Sequence, residues 1–183
     1  GLDTVMYEME MPLLEVLVAM ESEGINLDVS AMKAFEKDLA SEVYSVAKDI
    51  YNLCGHSFNL NSPKQLQDVL FTERGLTPIK KNKSGFSTDS DVLETLAQEN
   101  NDPVPSLLLR YRLLSKLLST YVLTLPELIN SHTGRIHTSF VQTGTATGRL
   151  SSKNPNLPNI PIRTEEGRRI RGGFVPKKGS YLL

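Results

Sequence analysis

The chain holds a single cysteine, Cys54, and no tryptophan. A lone thiol cannot close an internal disulfide, so a reducing, cytoplasmic compartment is the simple expectation. No apolar stretch approaches the ~20 residues needed to cross a bilayer, which argues against a membrane partner. A charged-then-apolar leader with a small-residue cleavage site is also missing, so export is not expected. There is no glycine-rich phosphate loop and no His/Cys/Asp spacing suited to zinc. His56, His132 and His137 read as a helix-to-loop corner, a turn residue and a strand residue. A further shortage is local. The stretch "TATGRLSSKNPNLPNIPIR", Thr145 to Arg163, carries prolines, asparagines and two arginines but no carboxylate.

What is present is enough for one domain with a core, or one domain and an appendage. Of the 183 residues, 39% are hydrophobic and 22% charged, proportions typical of a globular protein. The charge is segregated. Residues 149–183 carry eight Lys and Arg against Glu165 and Glu166, in a chain whose formal net charge is -1, so the remainder is net acidic. Polyanion binding is one cause of such a split, and a solvated basic tail is the other.

Helical periodicity dominates the first two thirds. Met6, Met9, Leu13, Leu17 and Met20 predict a helix over Thr4–Ser22, kinked or broken at Pro12, with Gly24 as a left-handed stop and a brief strand at Ile25–Leu27. Met32, Phe35, Leu39, Val43, Val46, Ile50 and Leu53 form a heptad-like stripe ended by Gly55. Leu107, Tyr111, Leu114, Leu118, Tyr121 and Leu125 form a matching one. Two such helices are expected to pack antiparallel, with both stripes serving as core. Between them, "NSPKQLQDVLF" starts with Ser62 as N-cap, Pro63 in the first turn and Gln65 closing a capping box. Gly75 stops that helix, "PIKKNKSG" reads as a basic loop, and "STDSDVLETLA" starts a helix capped by Thr88 or Asp89. After Leu125 a turn at Thr133-Gly134 leads to a strand over Arg135–Val141. "PNLPNIPIR" is expected to be non-helical, and "YLL" reads as a strand.

The acid-poor stretch offers specific chemistry. Arg149 beside Gly148 is a charged planar fork on backbone that can approach a groove closely. Thr145, Thr147, Ser151 and Ser152 add hydroxyl donors, and Asn156 and Asn159 add amides. Such groups suit phosphate oxygens and the acceptors lining a minor groove. The alternative is a proline-rich wrap whose asparagines cap turns.

"TATGRLSSKNPNLPNIPIRTEEGRRIRGGFVP" closely resembles the stretch preceding the first catalytic-carboxylate motif of family A DNA polymerases, the bacterial DNA polymerase I group. "FNLNSPKQLQDVLF", "STDSDVLETLA", "RYRLLSKLLSTY" and "TGRIHTSF" are similar to thumb elements of that family, in the same order. The resemblance implies a fold that is mainly α with a small β part (α+β). A long antiparallel helix pair with a helical tip is followed by a β-hairpin and an extended palm segment. By domain, 1–27 is a helix at the base of the polymerase domain. Residues 28–130 are the thumb, with its stalk at 28–54 and 103–125 and its tip at 55–102. Residues 131–183 are the start of the palm.

The same resemblance implies roles. Arg149 matches the arginine that contacts the primer-terminal base pair from the minor groove. Asn156, Asn159 and Arg163 match positions near the template-primer duplex, and Thr147 and Ser151 flank that surface. Arg112 and Lys116 match basic thumb positions, and Asn59, Asn61, Ser62 and Lys64 match the thumb tip. Arg168, Arg169 and Arg171 match a basic run that helps build the palm. Pro158 stands where the family usually has glutamine, which removes a possible minor-groove amide, and Leu118 where it often has lysine, which removes a charge from the thumb. The carboxylates that hold two Mg²⁺ ions lie on later motifs of the family. The expectation is therefore a polymerising parent protein in the bacterial nucleoid that needs Mg²⁺, and a fragment without catalytic residues, metal or turnover of its own. Glu165 and Glu166 read as ion-pair partners on a turn. Expected partners are primer-template DNA, the fingers and the rest of the palm, with exposed palm strands that would admit a dimer. Two rivals differ in class: a non-enzymatic helical module whose basic tail docks an acidic protein, and an enzyme using Glu165 and Glu166.

Overall fold

Pro12 shapes the first element. The computed structural model describes residues 1–82 and 85–181. Lys83 and Ser84 of the expected basic loop, and Leu182 and Leu183 of the expected last strand, lie outside the described residues. A helical run extends from Leu2 to Glu23, α-helical at Leu2–Thr4, π-helical at Val5–Glu10, and α-helical again as α1 (Met11–Glu23). Proline has no N–H for the carbonyl four residues back, and its ring crowds that carbonyl. The backbone answers by widening just before Pro12 rather than by breaking. Within α1 only Leu17 is buried, whereas Leu2, Met6, Tyr7, Met9, Val16 and Val18 stand exposed along the run. Every charged side chain on it is acidic: Asp3, Glu8, Glu10, Glu15, Glu21 and Glu23.

The chain divides into two compact units, residues 1–36 with 117–183, and residues 37–116. In the first unit, Gly24 ends α1 at φ +63°, and a Cβ there would lie 2.7 Å from the Ile136 carbonyl oxygen. A residue with a Cβ could not combine that torsion with that approach. β1 (Asn26–Leu27) follows and pairs antiparallel with β6 (Phe174–Val175), Asn26 opposite Val175 and Leu27 opposite Phe174. The expected strand at Arg135–Val141 is shorter, because Ile136 bridges both Ile25 and Ile129 and the regular ladder starts only at Ser139. There β4 (Ser139–Val141) pairs antiparallel with β5 (Ser151–Lys153), with Phe140 opposite Ser152. "PNLPNIPIR" is not wholly extended. Leu157–Asn159 makes one 3₁₀ turn, with Pro158 as its second residue, where no N–H is required. Glu165 and Glu166 are not on a turn either. They open helix α7 (Glu165–Gly172), whose cap is Thr164; its Oγ1 accepts the Gly167 N–H at 3.1 Å. Carboxylates in a first turn complement the helix dipole.

The second unit is the more helical. α2 (Val29–Cys54) begins in the first unit and ends here, burying Met32, Phe35, Leu39, Val46 and Ile50 but leaving Leu53 exposed. α3 (Pro63–Gln67) continues as π-helix through Asp68–Glu73. β2 (Lys81–Asn82) pairs with β3 (Gly85–Phe86), and α4 (Ser90–Glu99) starts at Asp89, whose carboxylate accepts the Val92 N–H at 3.1 Å. α5 (Val104–Leu117) passes into π-helix at Leu118–Val122 and then α6 (Thr124–Glu127). Its buried positions include Leu108 and Leu117, one residue over from the expected Leu107 and Leu118. Within the unit, Arg110 on α5 pairs with Glu42 on α2 through Nε at 3.0 Å. Arg74 grips Asp102 with two N–H groups and donates a third to the Leu53 carbonyl at 2.9 Å, while Asp102 Oδ1 accepts the Val104 N–H that opens α5. One side-chain pair thus ties three helix ends together. The described residues are mainly helical with three small antiparallel strand pairs, as the α+β expectation has it.

Candidate nucleic-acid interface

β4 and β5 are joined by residues 142–150, which hold Thr145, Thr147, Gly148 and Arg149. The sequence folds this way because hydroxyl residues and a glycine at φ +73° replace the apolar alternation of the strands. Thr145 Oγ1 donates to the Arg149 carbonyl at 2.7 Å, closing the loop on itself, and lies 3.4 Å from Thr147 Oγ1. The Arg149 side chain is exposed and makes no hydrogen bond or ion pair with the described residues. Thr147 is exposed and Ser151 half-buried. Asn156 is exposed just before the 3₁₀ turn, Asn159 is exposed within it, and Arg163 is exposed just before α7.

The basic run on α7 is not uniform. Arg169 stacks over the Phe35 ring at 4.1 Å, and Arg171 Nη2 donates to the Ile160 carbonyl at 2.8 Å. Arg168 is exposed without such a partner. Ser152 departs from its expected place as a surface donor. It is 1% exposed and its hydroxyl is engaged inside the unit. The alternation of β5 is the reason: Ser151 and Lys153 point outward, so Ser152 points in.

The second unit carries the other six candidates. Ser62 Oγ accepts the Gln65 N–H at 3.4 Å, as a cap should. The Gln65 carboxamide does not return to the Ser62 N–H, which is already bonded to the Asn59 carbonyl; it accepts the Asn59 N–H instead, at 2.7 Å. Asn59 Oδ1 in turn accepts the Asn61 N–H at 2.9 Å, and Asn61 Nδ2 reaches the Tyr111 hydroxyl at 3.5 Å. Asn59, Asn61 and Lys64 remain exposed. Lys116 is exposed near the end of α5. Arg112 is half-buried, with its guanidinium directed at the Thr88 carbonyl; burial lowers its pKa. Hydrogen bonds from Ser87, Lys80 and the Val92 N–H hold the Asp89 carboxyl below its usual range.

Sequence reasoning overlooked the groups that set these positions. Arg135 donates to the carbonyls of Glu23 at 2.6 Å and Gly24 at 2.9 Å, closing the C-terminus of α1. His137 Nδ1 lies 2.7 Å from the Glu21 carbonyl and Nε2 2.7 Å from the Thr133 hydroxyl, so its place is a helix latch and not a strand. Thr138, 8% exposed, lies against the chain at Pro155. An arginine and a histidine at alternate positions after a turn were the only signal in the sequence. Among the described residues, no three His, Cys, Asp or Glu gather as a metal-ligating group, and no helix is long and apolar enough to cross a membrane.

Comparison with known proteins adds an independent line. The family model for DNA polymerase family A matches residues 29–183. DNA polymerase I of Treponema pallidum (strain Nichols) is 49% identical over 183 residues, which is 100% of this chain and 18% of that protein. The thermostable DNA polymerase I of Thermus aquaticus is 48% identical over 178 residues, covering 96% of this chain and 21% of its own length. The chain therefore spans about a fifth of such relatives. A solved structure, the POL domain of Pol1 from M. smegmatis in complex with DNA primer-template and dNTP, superposes with a TM-score of 0.87. It is 43% identical, over 96% of this chain and 31% of that one.

Proposed function

Because the chain belongs to DNA polymerase family A, we propose that it supplies the part of a template-directed DNA polymerase that holds primer-template duplex. In this reading residues 28–130 are the thumb and 131–183 the start of the palm. The observation that carries it is the state of Arg149. A guanidinium beside a glycine at positive φ, exposed and without a partner among the described residues, is placed at no benefit to the fold and is available to a ligand. Asn156, Asn159 and Arg163 follow on the same acid-free stretch and are equally exposed.

The chemistry divides by residue. Arg149 and the two asparagines donate to the N3 and O2 acceptors that every base pair presents in the minor groove, so they sense pairing geometry and not sequence. Lys64, Lys116 and Arg163 contact phosphates, as do the exposed amides of Asn59 and Asn61; Ser62 and Thr147 add hydroxyls, and Ser151 a half-buried one. Arg112 contributes through field more than contact, since Thr88 already occupies its fork.

The whole polypeptide is proposed to be a nucleotidyltransferase whose Mg²⁺ ions sit on carboxylates elsewhere in its sequence. The acids of this segment do not fit that task. Glu165 and Glu166 occupy a helix first turn, and no third ligating side chain joins them among the described residues. No step of the reaction is assigned to this segment. Its partners in the proposal are duplex DNA and the remainder of its own polypeptide.

Fluorescence anisotropy with a labelled primer-template hairpin tests the reading. Binding should be indifferent to sequence and should weaken as salt rises, by a factor of about 8 per phosphate contact for each tenfold increase in salt concentration. Absence of binding at low salt would overturn it and favour an acidic protein as partner. Primer extension by the purified chain with Mg²⁺ should be nil; turnover would refute the division of labour.

A further inference from the structure

The first unit hides two hydroxyl side chains, Thr138 at 8% and Ser152 at 1% exposure, and both converge on one backbone carbonyl. Thr138 Oγ1 lies 2.7 Å from the Pro155 oxygen and 3.0 Å from the Lys153 oxygen. Ser152 Oγ donates to the same Pro155 oxygen at 3.1 Å and accepts the Leu157 N–H at 3.1 Å. Asn156 sits between the two backbone groups so held, and the 3₁₀ turn bearing Asn159 begins at the next residue. β5 ends at Lys153, and no ladder hydrogen bond extends past it to orient this stretch. Two buried hydroxyls take over from the ladder there.

We propose that Thr138 and Ser152 are positioning residues for the duplex contacts of Asn156 and Asn159. The proposal rests on the duplex-holding reading above and deepens it. Proline gives the carbonyl of Pro155 a fixed φ on one side, and the paired hydroxyls fix where that carbonyl points. The direction of the following peptide is thereby set, and with it the direction of the Asn156 amide. Buried hydroxyls are as a rule hydrogen-bonded, and here both bond to backbone at the end of β5 and on either side of Asn156. Thr138 and Ser152 touch no ligand themselves; they act through the chain between Pro155 and Leu157.

The test is a set of variants of the 183-residue chain, read by hairpin-duplex anisotropy and by thermal melting. Ser152→Ala should weaken binding about tenfold, the loss expected when one orienting hydrogen bond is removed. In a chain already carrying Asn156→Ala and Asn159→Ala, adding Ser152→Ala should change affinity less than about twofold, because coupled residues do not add. Thr138→Val should weaken binding in the same way and Thr138→Ser should restore it, a pair that keeps the test open if Ser152→Ala melts early. Equal losses in the two backgrounds would mean a general packing role and would overturn the proposal, as would an unchanged affinity in Ser152→Ala and Thr138→Val. If the unaltered chain does not bind duplex, the earlier reading fails; if it binds and these variants do not matter, only this one does.

Discussion

Replacing Arg149 by alanine separates fold from the proposed function. The side chain is exposed and has no partner among the described residues, and the loop around it is closed by Thr145 through the Arg149 backbone carbonyl, which alanine keeps. Surface substitutions of this kind shift stability by no more than about 0.5 kcal/mol. For a chain of this size that is about 1–2 °C in melting temperature. The proposed duplex contact is another matter. A hydrogen bond from a charged group is worth about 1.5–3 kcal/mol, so affinity for a primer-template hairpin should fall by about 10- to 150-fold. The salt series then says where the guanidinium goes. If it lies on a phosphate, the slope of log affinity against log salt drops by about 0.9 in the variant; if it lies on base edges, the slope stays nearly constant. The minor-groove assignment requires the second outcome. Anisotropy titrations at several salt concentrations beside a thermal melt settle both. An affinity within twofold of the unaltered chain, or a melting point lowered by many degrees, would refute the reasoning.

Two further outcomes concern the scaffold. Asp102→Ala leaves the Arg74 guanidinium, with 21% of its side chain exposed, only the Leu53 carbonyl and no counter-charge, and removes the Val104 cap. Urea unfolding followed by a probe in the second unit should show a loss of about 3–5 kcal/mol, whereas Arg74→Met with Asp102→Leu should recover the part due to the unpaired charge but not the Val104 cap or the Leu53 contact. His56, when protonated, donates from both nitrogens, to the Glu73 carboxylate at 2.8 Å and the Ser57 carbonyl at 3.3 Å, and the Glu73 bond first, then the Ser57 bond, raise its pKa. A raised value in the folded state means added stability that is complete below the unfolded value of about 6.5 and disappears as pH climbs through the folded one. The melting difference between the unaltered chain and His56→Ala should therefore be present at about pH 5.5 and gone by about pH 8.5; a difference that grows with pH would contradict the assignment.

Local signals carried the sequence reading a long way, and non-local ones did not. Ser62 and Asp89 as caps, Gly24 and Gly55 as stops, and the stripe on α2 all depend on neighbours a few residues away, where spacing and chemistry coincide. The pairing of Asn26 with Val175, and the double bridge at Ile136, join segments that no short window contains. The π segments at Val5–Glu10 and Leu118–Val122 shift faces without a sequence mark, apart from Pro12. At the candidate site, an exposed loop arginine was legible at Arg149 because glycine and arginine are conspicuous. Thr138 and Ser152 were not, since small hydroxyl residues look alike on either face of a strand until its partner is known. The same limit hid the engagement of Arg112 with Thr88 and of Arg169 with Phe35. Charge in a sequence says where a cation is, and only packing says what it already holds.

The helical run at Leu2–Glu23 has a practical consequence. A rod with methionine, leucine, valine and tyrosine outward and only carboxylates for charge is expected to be surface-active. The purified polypeptide should adhere to plastic and partition into micelles. Titrations at nanomolar protein need a carrier or a mild non-ionic detergent, or depletion onto the cuvette wall will be mistaken for weak affinity.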